Sequence, residues 1–200
     1  MQKRLRYSRF ALILCLLTGA ILPGTSAAEP ARLVRDGSLE MAGRQLRCDN
    51  VRTQLDQRLP NLGIAVRDAR LLVLNPVLLR RYSDTVQLFV FHHECGHHRA
   101  GDSELGADCW AVGEGVRHGW LDSRGLGDVC RSFENAPETS THPSGRRRCA
   151  NLDRCFAAAT TEVANERERG REQLTRLVAT IAPTPKLVAG PRLLRVSDAR

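Results

Sequence analysis

Residues 84–111 read DTVQLFVFHHECGHHRAGDSELGADCWA. The run Val86, Leu88, Phe89, Val90, Phe91 is apolar on nearly every side of a helical wheel, which predicts a buried central helix from Asp84 to about His98. Asp84 is placed to cap it, with Gln87 three residues on completing a capping box. Gly101 marks a turn. A second helix is predicted from Asp102 or Ser103 to about His118, stopped by Gly119 and weakened in its last turns by Gly113 and Gly115.

Within the first helix lies His93-Glu94-Cys95-Gly96-His97, an HExxH sequence. Residues i and i+4 share a helix face, so both imidazoles can meet one metal ion, and Glu94 between them can reach a water on that ion. Zinc bound there would lower the water's pKa, and Glu94 would take its proton during attack on a carbonyl. A third protein ligand is needed to leave one position open for water. A third histidine six residues after His97 is excluded, because that position is Ser103. Glu104 lies seven residues after His97, with Asp108 one turn further on the same face. If the turn at 99–102 folds the second helix back beside the first, Glu104 reaches the metal. Asp108 then accepts a hydrogen bond from the outer nitrogen of a ligating histidine and fixes its tautomer. The spacing also admits the reverse assignment, with Asp108 as ligand.

HExxH on one helix followed by Glu104-Leu-Gly-Ala-Asp108 on the next resembles the gluzincin metallopeptidases. The resemblance is closest to soluble relatives of the CAAX prenyl protease and heat-shock membrane-protease group, and covers about residues 70–155. That group carries a later His-Pro followed by Arg, matched here by His142-Pro143 and Arg148. The resemblance implies that His142 and Arg148 stabilise the oxyanion formed when water attacks a peptide carbonyl. The membrane-spanning helices of the integral-membrane members have no counterpart here, so nothing about membrane-embedded substrates carries over.

Outward from this centre, the N-terminus has the pattern of a secretory signal over residues 1–28. Lys3, Arg4, Arg6 and Arg9 precede a short apolar run from Phe10 to Leu22, and Ser26-Ala27-Ala28 offers a cleavage site before Glu29. The run is shorter than the ~20 residues a spanning helix needs. Residues 1–28 hold four basic and no acidic residues, so their removal lowers the net charge from +8 to +4. So mild an excess, much of it in Arg146-Arg147-Arg148, does not point to nucleic acid. Six of the seven cysteines remain: Cys48, Cys95, Cys109, Cys130, Cys149 and Cys155. An even number in an exported chain predicts up to three disulfides, and no CxxC pair suggests a zinc ribbon. Cys130 with Cys149 would tie down the loop bearing His142, and Cys95 with Cys109 would staple the two metal helices.

Short strands are expected over 33–47 around Asp36-Gly37. Val51, Leu55 and Leu59 have helical spacing and predict a helix over 50–59, stopped by Pro60. Gly63–Val66 and Leu71–Leu74 read as a strand pair closed by Asn75-Pro76. The strand near Leu71–Asn75 is expected to take an extended peptide by strand addition. A short helix is expected near Leu126–Phe133, and residues 151–181 are helical in pattern, with Gly170 a possible break. His118 suits a charge partner at a helix C-terminus, and Trp110 and Trp120 suit the core.

The expected architecture is α+β: a small antiparallel sheet packed on the metal-site helices, a C-terminal helix and a loose tail. The segments are a signal over 1–28, a metallopeptidase-like domain over 29–160, the helix over 161–182 and the tail over 183–200. The expected function is an exported, periplasmic or extracellular, zinc-dependent metallopeptidase. Zn²⁺ would sit on His93, His97 and Glu104, with Glu94 as general base, Asp108 orienting a ligand, and a peptide or protein as substrate. Neither nucleic acid nor a membrane span in the mature chain is expected. Two alternatives stand beside it. One is a non-enzymatic, disulfide-rich module whose zinc is closed by a fourth ligand from His92, His98 or His142. The other is a different metal-dependent amide hydrolase with Cys as third ligand, which an oxidising compartment disfavours.

Overall fold

The structure, a computed structural model, describes residues 30–34 and 37–181. The expected signal over 1–28 and the tail from Pro183 lie outside the described residues, as does Asp36. Six strands come first: β1 (Arg32–Leu33), β2 (Leu39–Met41), β3 (Arg44–Leu46), β4 (Arg52–Leu55), β5 (Gly63–Val66) and β6 (Leu71–Leu74). Five helices follow: α1 (Pro76–Leu79), α2 (Asp84–Ala100), α3 (Glu104–Arg117), α4 (Ser123–Phe133) and α5 (Gly145–Ile181). The class is α+β, as expected.

The main sheet has the order β1-β4-β6-β5. It is mixed rather than antiparallel throughout, because β4 runs parallel to β6 while β1 and β5 pair antiparallel. After β4 the chain crosses to the far edge to form β5, then returns as β6 into the middle. Leu71–Leu74 is therefore paired on both sides and cannot accept an added strand; the open edge beside the helices is β5. The other two strands form a separate hairpin, β2 with β3. Its turn is Ala42-Gly43, both at positive φ (50° and 69°), not the expected Asp36-Gly37.

Residues 52–55 are strand, not helix. The helical spacing of Val51, Leu55 and Leu59 coexists with a period of two: Val51 and Thr53 are buried while Arg52 between them is exposed. Pairing with β6 on one side and β1 on the other stabilises the extended form.

Helix α2 runs through the centre. On its sheet side Leu88, Phe91 and Cys95 pack with Leu72, Leu74 and Leu79. On its helix side Val86 and Phe89 pack with Ala111, Val112, Leu126, Val129 and Leu152. Two apolar surroundings explain why so much of the helix is apolar. Its N-cap is Ser83, without a side-chain capping bond; Asp84 lies in the first turn and the Gln87 amide donates to the carbonyl of Tyr82, so the expected capping box does not form. Helix α3 begins one residue after Ser103, whose hydroxyl accepts from the Gly106 N–H. It ends at His118, whose backbone N–H donates to the Glu114 carbonyl at 3.0 Å and whose Nε2 lies 3.4 Å from Glu114 Oε2.

Helix α5 passes Gly170 unbroken for 37 residues, about 55 Å at the usual rise. Its first turns pack on α3 and α4, whereas Leu174, Leu177 and Val178 are exposed. Three disulfides brace the body: Cys48–Cys95, Cys109–Cys155 and Cys130–Cys149. The Cys130–Cys149 pair matches expectation. A Cys95–Cys109 staple does not form, because each sulfur faces away from the α2–α3 contact, one toward the loop after β3 and the other toward α5. Among the described residues no helix is long and apolar enough to cross a membrane.

Candidate metal centre

The approach of α3 to α2 sets the site. At Gly96 a Cβ would meet the Cα and carbonyl oxygen of Ala107 at 3.0 Å, so the glycine inside HExxH is what lets the two backbones come together. The three-residue connection Gly101, Asp102, Ser103 then brings Glu104 beside the two histidines.

His93 and His97 face each other through Nε2, 3.2 Å apart. The Glu104 carboxylate lies 3.3 Å from His93 Nε2 and 3.5 Å from His97 Nε2. One potential ligand atom from each of the three lies within 4.8 Å of the others. His93, His97 and Glu104 therefore form a group that could hold a metal ion, with Glu104 rather than Asp108 as the third member.

The outer nitrogens carry the argument further. His93 Nδ1 lies 2.9 Å from Oδ1 of Asp108, and His97 Nδ1 lies 3.0 Å from the carbonyl oxygen of Gly101. Each acceptor holds a proton on Nδ1 and leaves Nε2 as a lone pair. Nε2 of both rings, turned toward one another and toward a carboxylate, can share one metal ion; without it, a proton on His93 takes that place. Glu104 Oε2 is buried with His93 Nε2 in reach, 3.3 Å away, a placement that also suits a shared cation. The donor set of two imidazoles and one carboxylate suits zinc with an open fourth position. Burial works against a charged His93, but the carboxylates of Asp108, Glu104 and Glu94 outweigh it and push its pKa up to about 9.

Asp108 is fully buried and doubly held by Arg148, whose Nε and Nη2 approach its oxygens at 2.9 and 2.5 Å. Burial alone would raise the Asp108 pKa, yet Arg148 and His93 bring it below the usual carboxylate range. Arg148 also lies over the Phe133 ring at 4.5 Å. Its guanidinium thus stands on the Nδ1 side of His93, engaged with Asp108. His142 is on the other side, half-exposed, with Nε2 3.5 Å from Glu104 Oε1 and Nδ1 2.8 Å from the Thr141 hydroxyl.

Glu94 is buried beside β5. Burial pushes its carboxyl above the ordinary value, while the backbone N–H of Ala65 and the histidines oppose that rise. A Cβ at Gly63 would lie 2.8 Å from Glu94 Cγ, so this strand position has room for glycine only. Sequence reasoning missed Gly63, Ala65 and the Gly101 carbonyl, since backbone atoms and clearances leave no residue-type signature. His92 is no part of the centre: it stacks on Trp120 at 5.2 Å, and burial lowers its pKa to about 4.

No protein-family model matches the chain, and neither a curated protein nor a solved structure matches it.

Proposed function

We propose that the protein is an exported zinc-dependent metallopeptidase. The observation that carries this reading is the convergence of His93 Nε2 and His97 Nε2 with the Glu104 carboxylate, each imidazole held from behind at Nδ1. Zinc held by these three residues would supply an acidified water and polarise the substrate carbonyl.

The chain's own groups do the rest. Glu94, with its proton affinity raised by burial, accepts the proton of the attacking water and returns it to the leaving amine. Asp108 and Arg148 keep His93 in one tautomer. The Thr141 hydroxyl can occupy Nδ1 of His142, leaving an N–H on Nε2 for the carbonyl oxygen as it gains charge. The open edge of β5 offers main-chain groups to an extended peptide, in place of the buried β6. Three disulfides support export to an oxidising compartment.

The test is Glu94→Gln in the mature, zinc-supplemented protein. Retained zinc with loss of peptide cleavage is expected. Cleavage equal to the wild type would overturn the mechanism.

A further inference from the structure

Helix α5 holds α3 by more than Arg148. Asn151 lies one turn further along α5 and is buried, 8% exposed. Residues three apart share a helix face, so it turns toward α3 as Arg148 does. Its Nδ2 donates to the carbonyl oxygen of Leu105 at 2.9 Å and to Cys109 Sγ at 3.3 Å. Its Oδ1 accepts from Nη2 of Arg154 at 3.3 Å. The Leu105 carbonyl can only accept, so the amide nitrogen is the end that faces α3.

Leu105 directly follows Glu104, the first residue of α3. Helix ends fray unless something holds them. The Ser103 cap closes α3 onto its own first turn and fixes nothing relative to α2. The approach of Gly96 to Ala107 sets how near the two helices come, but van der Waals contact is weakly directional and resists little when α3 turns about its axis. The Arg148–Asp108 pair and the Cys109–Cys155 disulfide tie α3 to α5 through side chains of its second turn. Asn151 holds the backbone itself, in the first turn, through a short side chain and a directional bond.

Resting on the metal-binding part of the reading above, we propose that Asn151 is a positioning residue for the metal centre. By holding the Leu105 carbonyl from α5 it sets the rotation of the first turn of α3, and with it the place of the Glu104 carboxylate opposite His93 and His97.

The experiment uses the mature protein and three readouts. Chelator competition measures zinc affinity, the visible spectrum of the cobalt-substituted protein reports the arrangement of the ligands, and denaturant melts without metal report stability. Asn151→Leu, similar in size but without donors, should weaken zinc binding roughly tenfold and change the cobalt spectrum. Leu152→Ala is the control. Leu152 lies in the core with Val86, Phe89 and Val129, so its truncation loosens α5 without removing the bond to Leu105. It should lower stability and leave zinc affinity and the cobalt spectrum as in the wild type. If Asn151→Leu does not fold, Asn151→Ser, whose hydroxyl stops short of Leu105, carries the same expectation. Wild-type affinity and spectrum in the folded Asn151 variant, or an equal change in Leu152→Ala, would overturn this inference and leave the peptidase reading standing. Zinc binding that depends on Asn151 in a protein that cleaves no peptide would overturn the peptidase reading and keep the inference. A wild type that binds neither metal would overturn both.

Discussion

Arg148 grips Asp108 through two nitrogens, 40 residues away in sequence, and Asp108 in turn holds Nδ1 of His93. A residue on the first turn of α5 thus sets the orientation of an imidazole on α2. Arg148→Ala would leave the buried Asp108 carboxylate with His93 as its remaining counter-charge, and a loss of up to about 3–5 kcal/mol in unfolding free energy is expected. Denaturant melts of the metal-free protein measure it. Asp108→Asn should weaken zinc binding by roughly 10- to 100-fold, read by competition with a chromophoric chelator.

Proton and metal compete for His93. With its pKa near 9 in the metal-free protein, the imidazole is protonated at neutral pH, so zinc binding there releases a proton. Zinc affinity should climb as pH rises toward 9 and then level off, and titration calorimetry in buffers of different ionisation enthalpy would count the proton. An affinity flat between pH 6 and 9 would contradict this.

Stability without metal follows the same linkage with a definite sign. His93 has a folded pKa above its unfolded value of 6.5, so its contribution is complete below 6.5 and disappears as pH rises through about 9. Asp108 and Glu104 are depressed from 3.8 and 4.5, so theirs is complete above those values and is lost as pH falls. The melting temperature of the metal-free protein should therefore fall as pH rises from 6.5 through about 9, and below 6.5 His92, whose pKa burial lowers to about 4, also favours unfolding as pH falls.

Gly96→Val would force α2 and α3 apart. Overpacking of this kind costs about 1–3 kcal/mol, and the displacement acts directly on the distance between Glu104 and the histidines. Zinc affinity should fall more than stability does, whereas Gly170→Ala on α5, where a Cβ meets nothing, should leave zinc affinity unchanged and stabilise the helix by about 0.5–1 kcal/mol.

Cys109→Ser with Cys155→Ser removes the link between α3 and α5. A loss of about 2–5 kcal/mol is expected. The Cys130–Cys149 pair sits next to Arg148, so its removal should also lower zinc affinity through the Arg148–Asp108 contact.

The metal helices were legible because their information is local. HExxH, the Gly101 turn and the Glu104/Asp108 pair lie within sixteen consecutive residues, and helical periodicity alone brings each pair to one face. Strand β4 was not, since Val51, Leu55 and Leu59 satisfy a helical period while the burial of Thr53, which makes the period two, depends on partners elsewhere in the chain. The sense of the sheet was hidden for a similar reason: the crossover that puts β5 at the edge is a property of the whole chain path. Cysteine pairing needed the packing of α5, which carries two of the six sulfurs. Arg148 was found by resemblance, but its bond to Asp108 follows from where α5 begins.

The connection between α2 and α3 is only Gly101, Asp102 and Ser103, and the carbonyl of its first residue is the group that holds His97. That turn works as a ruler. One extra residue would shift Glu104 around its helix by about 100° and withdraw the oxygen from His97 together. Of all the surface turns in this molecule, the shortest one beside the histidines is where length itself is under chemical control.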